Sequence, residues 1–393
     1  MGNKNEIIII VFLFMLFLVP AQAYALDEVG ENGLLDEQLK ELDISPIEEM
    51  LKSMNKDIYE YIPELTINNL FTFIKSGNFD YSFNSLLKGI IRYFFKEVIV
   101  NFQILGQLII LCVILALLQN IQSAFQRDNV SKLAYGICYL ILIGIIINSF
   151  TIALNLGRET INTMVDFLHS VLPILLSLLV ASGGYTSAAI LHPFVLMTVS
   201  GVGTLIKDAV LPLVFLSAVL QIVNNITDTL KVTRMSSLLK EICIGLLGIF
   251  LSIFLGAVII QGAGAAIADG ISIRTVKFAT KNFFPIVGGI FVDALDTIVG
   301  CSILLKSAIG LFGTIIIFII CISPMIKMIS LIFIFKITSA IVEPLGENKV
   351  VSCLNDIGNS LTLIFVCVAS VAMMLFIVIT IIVGAGNMIV MMR

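Results

Sequence analysis

The sequence predicts an all-α protein, a polytopic bundle of membrane-spanning helices. Of its 393 residues, 59% are hydrophobic and only 13% are charged, whereas a soluble globular protein has about 25% charged residues. Many apolar runs approach the ~20 residues that a helix needs to cross a bilayer. These runs are long and unbroken, unlike the short alternating segments of a membrane β-barrel.

Two parts of the chain precede the predicted membrane domain. Residues 1–25 have the pattern of a secretory signal peptide, with Lys4 before an apolar core and small residues after it. An uncleaved anchor helix is the alternative. Residues 26–97 carry 14 acidic and 7 basic side chains, a net charge of −7, and their apolar positions recur at helical spacing. We expect a small helical segment there, on the extracytoplasmic side.

Residues 98–393 are predicted to form the membrane domain, with a net charge of +3. The loop that carries Lys231, Arg234 and Lys240 is the most basic of the short loops, which places it in the cytoplasm. The loop with Lys349 falls on the same side. About ten spans are expected, near 98–120, 133–154, 164–181, 188–206, 209–226, 242–262, 283–302, 307–324, 326–342 and 360–384.

Two tandem repeat units are predicted within this domain, at about 131–235 and 236–352. With four spans each, the two copies would run parallel to each other. Chance similarity among apolar sequences is the alternative. Prolines inside such spans are expected to kink their helices, or to start a helix where they lie near a span end. They recur at a spacing of 112 residues, Pro173 with Pro285 and Pro212 with Pro324.

Ionisable side chains lie deep in apolar sequence between residues 251 and 300. Asp293 and Asp296 are three residues apart and so share one helix face, and a carboxylate at the bilayer centre costs about 2.5–3.5 kcal/mol. They predict a polar pathway or an ion site, unless this helix ends shallowly at the membrane interface. The basic side chains expected to pair with the aspartates or to line the pathway are Arg274, Lys277, Lys281 and Lys306, with anionic lipid contact as the alternative for the first three.

No catalytic, cofactor or metal site is predicted. The seven cysteines lie in or beside apolar runs and include no C-x-x-C pair. Protease, hydrolase and kinase motifs are missing from the sequence, and no basic patch is dense enough to bind nucleic acid. We therefore expect a protein without enzymatic activity, surrounded by the lipid bilayer.

Several blocks of the membrane domain carry a family resemblance. They are FLSIFLGAVIIQG, DGISIRTVKFATKNFFPIVGG and FVDALDTIVG, together with ASGGYTSAAILHPF, LPLVFLSAVL, SILLKSAIGLFG and the closing GAGNMIVMMR. In these blocks, in total length and in the exported acidic segment, the chain resembles the stage III sporulation protein AE family of endospore-forming bacteria.

The resemblance implies a membrane subunit of a secretion-like channel complex that joins the mother cell to the forespore after engulfment. It implies a multi-pass protein of the mother-cell membrane around the forespore, with residues 26–97 in the intermembrane space. The implied partners are other stage III sporulation proteins of that complex. A transporter-like permease for a small solute and a purely structural membrane scaffold are the alternatives. The family implies no catalytic residues.

Overall fold

A computed structural model describes residues 83–124, 129–226, 232–283, 288–345 and 348–391. Within these ranges the chain is helical apart from short turns, which confirms the all-α fold class. The predicted signal peptide and most of the acidic segment lie outside the described residues. The helices are α1 (Phe83–Val100), α2 (Phe102–Ala124), α3 (Asn129–Ala181), α4 (Tyr185–Leu205), α5 (Leu211–Ile226), α6 (Thr233–Phe283), α7 (Gly288–Val342) and α8 (Asn348–Met391); a π-helical turn (Ile206–Val210) joins α4 to α5, and a 3-10 turn (Glu343–Leu345) follows α7.

Four of these helices are much longer than a bilayer is thick. α3 has 53 residues, α6 has 51, α7 has 55 and α8 has 44, which at ~1.5 Å per residue gives lengths of about 66–83 Å. The hydrocarbon core of a bilayer measures about 30 Å. Across the described residues, six helices are long and apolar enough to cross a membrane, within 102–121, 133–181, 185–225, 233–282, 292–345 and 349–385. These helices indicate a membrane protein.

The prediction of about ten separate spans differs from this arrangement. The spans expected at 133–154 and 164–181 lie on one continuous helix, α3, and the three expected between residues 283 and 342 lie on α7. Polar residues such as Arg158 and Glu159 suggested a loop because they interrupt the apolar run. Both residue types are good helix formers, so they lower the hydropathy without ending the helix.

Each predicted repeat unit contains one pair of long helices instead of four short spans. α3 and the continuous α4–α5 segment occupy the first unit, and α6 and α7 occupy the second. Because neighbouring predicted spans merge into single long helices, the described part of the chain has fewer membrane-length helices than the ten spans predicted. The repeat itself stays a prediction.

The predicted kink positions fall in different surroundings. Pro173 lies inside α3 and Pro324 inside α7, while Pro285 lies outside the described residues. Pro212 follows the π-helical turn directly. Because proline has no N–H group to donate to the preceding turn, a π-helical turn at this point is a way to accommodate the missing hydrogen bond. Kinks at Pro173 and Pro324 stay predictions.

α8 forms the centre of the bundle and packs against α3, α5, α6 and α7. It carries no charged side chain between Asp356 and Arg393, and a helix that is apolar all round is a buried one. Gly310 of α7 lies so close to Val383 of α8 that a Cβ atom there would collide with it. α3 and α6 both pack on α8 and make little contact with each other, while α4 packs against both of them.

A buried hydrogen-bond network holds one end of the bundle together. Gln221 of α5 donates to the Ser236 hydroxyl of α6 at 2.8 Å and accepts from the Ser360 hydroxyl of α8 at 3.3 Å. The network places the α5–α6 and α7–α8 connections at the same end. This agrees with the prediction that the loops near Arg234 and Lys349 share one side, although the orientation in a membrane stays a prediction.

Candidate functional site

The outward face of α3 is polar over its second half. Beyond Ile152, as far as the end of the helix at Ala181, no large apolar side chain of α3 is exposed. The exposed polar and proline side chains instead follow each other at steps of three, four or seven residues, which places them along one face of the helix. They are Asn155, Glu159, Asn162, Asp166, Pro173 and Ser177.

The inward face of the same half-helix is apolar and closely packed. Met164, Phe167 and Leu168 are completely buried, and the Cys321 thiol of α7 donates to the Met164 sulfur at 3.0 Å. α3 is therefore amphipathic here, with its apolar side against α7 and α8. From Asn155 to Ser177 the outward side spans about 33 Å along the helix axis, close to the thickness of a hydrocarbon core.

The neighbouring helix adds polar groups to this side of the bundle. Lys207, in the π-helical turn, donates from Nζ to the Asn162 side-chain oxygen at 3.2 Å, and Asp208 next to it is exposed. Where α3 packs against α4, His169 of α3 and Ser200 of α4 share a hydrogen bond of 3.0 Å. We call Asn155, Glu159, Asn162, Asp166 and Ser177, together with Asp208, the polar face.

The acidic side chains of this region project outward, and the basic ones are drawn back. Glu159, Asp166 and Asp208 are exposed, whereas Arg158 and Lys207 are half-buried. The Nε atom of Arg158 is buried and has no hydrogen-bond partner in the described part of the chain. The surface that a molecule outside the bundle would meet is therefore mainly acidic.

The outward face of α6 has the reverse character over part of its length. It exposes a series of isoleucines, among them Ile249, Ile253 and Ile260. The bundle therefore presents a polar surface on the second half of α3 and an apolar one on the middle of α6. An apolar face of this kind suits contact with lipid chains, and the polar face does not.

The predicted site residues lie elsewhere, on α6 and α7. Lys277 of α6 forms an ion pair with Asp296 of α7, while Asp293, Arg274 and Lys281 are exposed. Only the lysine–aspartate pair is brought together, and it joins the end of one helix to the start of the next.

Lys306 of α7, the last of the six predicted site residues, is completely buried. Its ammonium nitrogen has no hydrogen-bond partner among the described residues, so it does not pair with Asp293 or Asp296. A buried, unpaired ammonium is costly. Such a lysine must either serve a function that offsets this cost or be uncharged.

Asp269 of α6 holds the start of α4, a role that the sequence did not reveal. Its two carboxylate oxygens each accept a backbone N–H, from Thr186 and Ser187, at 2.8 Å. The chain reverses just before this point at Gly183, whose φ of +89° favours glycine. The carboxylate satisfies two of the N–H groups that the first turn of a helix leaves free and is favourably placed at its positive end.

The polar face was also missed, although the sequence contains a signal for it. Asn155, Glu159, Asn162 and Asp166 are separated by four, three and four residues, the spacing of one helix face. The prediction of a loop around residue 158 hid this spacing, because it placed Asn155, Glu159 and Asn162 between two spans and only Asp166 inside one. A continuous helix brings all four side chains to one surface.

Comparison with known proteins gives the chain a family. A family model described as Stage III sporulation protein AE (spore_III_AE) matches residues 65–386. The chain is also 43% identical over 372 residues to Stage III sporulation protein AE of Bacillus subtilis (strain 168), a match that covers 93% of each protein. No solved structure matches the chain. These matches confirm the resemblance noted in the sequence: the chain belongs to the stage III sporulation protein AE family.

Proposed function

We propose that this chain is the membrane subunit of the channel complex that joins the mother cell to the forespore after engulfment, and that its polar face lines the passage. Membership of a stage III sporulation family supports a role in sporulation, and the six membrane-length helices support a place in a membrane. One observation carries the proposal further: α3 exposes polar side chains from Asn155 to Ser177, whereas α6 exposes isoleucines from Ile249 to Ile260.

The cost of placing charge in lipid argues for water or protein against the polar face. A carboxylate at the bilayer centre costs about 2.5–3.5 kcal/mol, so each one that faces lipid near that depth is strongly unfavourable. Glu159, Asp166 and Asp208 are all exposed. Polar residues in membrane segments face a bundle interior or a water-filled cavity, and here the outside of the bundle must border that cavity.

Because the centre of the bundle is filled with side chains, the passage lies outside it. α8 fills the middle with buried apolar side chains, for example Leu361, Ile364 and Val368. A hydrophilic route therefore runs along the outside of one chain, enclosed by further copies or by partner proteins. In this proposal the chain is one segment of a pore wall, with its α6 side toward lipid.

The finer cellular assignment follows from the family resemblance. The chain sits in the mother-cell membrane around the forespore and crosses it several times, with residues 26–97 in the intermembrane space. Its partners are other stage III sporulation proteins of the complex and the lipid bilayer. It has no enzymatic activity and binds no cofactor.

Two alternatives lead to different results. A permease would move a small solute without its partners, so the purified chain alone would load liposomes with solute. A scaffold would need no polar surface at all. The pathway predicted around Asp293 and Asp296 remains a second candidate for the polar lining. If it is correct, Asp293→Asn combined with Asp296→Asn blocks development without preventing assembly.

A leucine triple variant tests the proposal on the polar face. In Glu159→Leu/Asn162→Leu/Asp166→Leu the face becomes apolar but keeps its helix, since leucine is a good helix former. We expect the protein to reach the membrane and its complex in normal amounts, and the number of heat-resistant spores to fall at least about a hundredfold. The matched control changes Ile249, Ile253 and Ile260 to leucine and should form spores normally.

Normal spore numbers from the leucine triple would contradict the assignment of the passage to α3. If the leucine variant does not accumulate, alanine at the same three positions removes the polar groups with a smaller, strongly helix-forming side chain. That variant should accumulate, and it too should fail to form spores. Full activity of the alanine variant would equally contradict the proposal.

A further inference from the structure

We infer that the passage lined by the polar face takes cations and neutral polar solutes and excludes anions. This inference rests on the proposed function, because it assigns a solute class to the same surface. Its basis is the position of each charge on that side of the bundle, together with the way in which membrane proteins select ions.

The three carboxylates of the polar face outnumber the Lys207 ammonium that meets it at Asn162. Glu159 and Asp166 lie seven residues apart on α3, which is two turns, and both are exposed. Asp208 in the π-helical turn is exposed as well and lies beside the lysine that contacts Asn162. A solute moving along α3 would pass all three carboxylates in succession.

The basic side chains of the same region, Arg158 and Lys207, are half-buried, and Lys207 reaches the polar face at Asn162. The Lys207 ammonium is held by the Asn162 side chain at 3.2 Å, and the Arg158 side chain is half-buried with its Nε atom in the interior. Lys327 of α7 lies one helical turn after Ser323, whose hydroxyl is bonded to Tyr93 of α1. It therefore belongs to the α1 side of the bundle.

The basic groups of α6 lie away from Glu159 and Asp166. Ile273, next to Arg274, meets Gly183 just past the end of α3. Arg274 therefore lies near Ala181, about 22 Å along the helix axis from Asp166. Lys277 is paired with Asp296. Rings of aspartate and glutamate select cations in channels, and rings of arginine and lysine select anions. If several copies surround one passage, each copy repeats the three carboxylates and strengthens the preference.

The rate at which charged reagents modify an introduced thiol measures this preference in the native membrane. Asn155→Cys lies one turn before Glu159, and Ser170→Cys lies one turn after Asp166. Each variant is treated in membranes from sporulating cells with a trimethylammonium or a sulfonate methanethiosulfonate of similar size. Each rate is divided by the reagent's rate with 2-mercaptoethanol, and the reaction of the unsubstituted chain, whose cysteines are buried except for the half-buried Cys138, is subtracted.

We expect the cationic reagent to react about tenfold faster than the anionic one at both positions, as two nearby carboxylates would cause in salt-containing water. In the background Glu159→Gln/Asp166→Asn the ratio should fall toward one. Ile253→Cys on the apolar side of α6 is the control and should react slowly with both reagents.

Each other outcome has a definite meaning. Equal rates, or a faster anionic reagent, would overturn the inference and leave the proposed passage in place. A tenfold ratio that persists after both carboxylates are neutralised would overturn it too, because other groups would then set the preference. Rates at Asn155→Cys and Ser170→Cys as slow as at Ile253→Cys would mean that the polar face meets no water, and the proposed function itself would fail.

Discussion

Replacing Asp269 with alanine should lower the melting temperature of the purified full-length chain by at least about 5 °C. The carboxylate is buried and accepts the backbone N–H groups of Thr186 and Ser187 at 2.8 Å each. Hydrogen bonds to a charged group contribute about 1.5–3 kcal/mol each, and a buried donor left unpaired carries a further cost. We therefore expect a loss of about 3–5 kcal/mol, measured by thermal unfolding in detergent.

The asparagine variant separates the hydrogen bonds from the bulk of the side chain. Asp269→Asn keeps the shape and one acceptor oxygen, but loses the charge and the second acceptor. It should melt between the wild type and Asp269→Ala. Melting of the alanine variant within about 1 °C of the wild type would show that the start of α4 does not depend on this carboxylate.

Replacing Lys306 with methionine should have the opposite effect and stabilise the fold. The lysine is completely buried, and its ammonium nitrogen has no hydrogen-bond partner among the described residues. Methionine has a similar length and no charge to desolvate, whereas a single buried ion carries a desolvation penalty of several kcal/mol. The melting temperature of Lys306→Met should accordingly rise.

Two further measurements show what the lysine is for. Lys306→Gln keeps a polar group in the same place, so its gain in stability should be smaller than that of methionine. Spore counts then show whether Lys306 serves a function. A more stable Lys306→Met protein that forms few spores would support the predicted polar pathway. A methionine variant that melts below the wild type would mean that the ammonium is satisfied by a group outside the described residues.

The sequence was sufficient for the fold class because composition and helix length depend on simple physical limits. Few charges and long apolar runs require helices in a bilayer. The number of helices could not be predicted equally well, since hydropathy falls at Arg158 and Glu159 whether the chain turns or continues as a helix. Helix propensity at those two residues favours continuation, and that is what the structure shows.

The candidate site was harder to predict because it depends on which helices are neighbours. The sequence emphasised Asp293 and Asp296 for their depth in an apolar run, and the structure pairs Asp296 with Lys277. The role of Asp269 depends on a contact with residues more than 80 positions away, which no local pattern contains. The polar face, by contrast, was visible as a spacing on α3 once that helix is continuous.

A cysteine scan of α3 shows whether one face of this helix borders a water-filled passage. Single cysteines from residue 152 to residue 170 would be treated with a membrane-impermeant maleimide in membranes that contain the assembled complex. We expect labelling with a helical period. It should be strong at the buried positions' exposed neighbours Asn155, Glu159, Asn162 and Asp166, and weak at the buried positions between them. Labelling at none of these four positions, or at all positions equally, would contradict the claim that one face of α3 borders a water-filled passage.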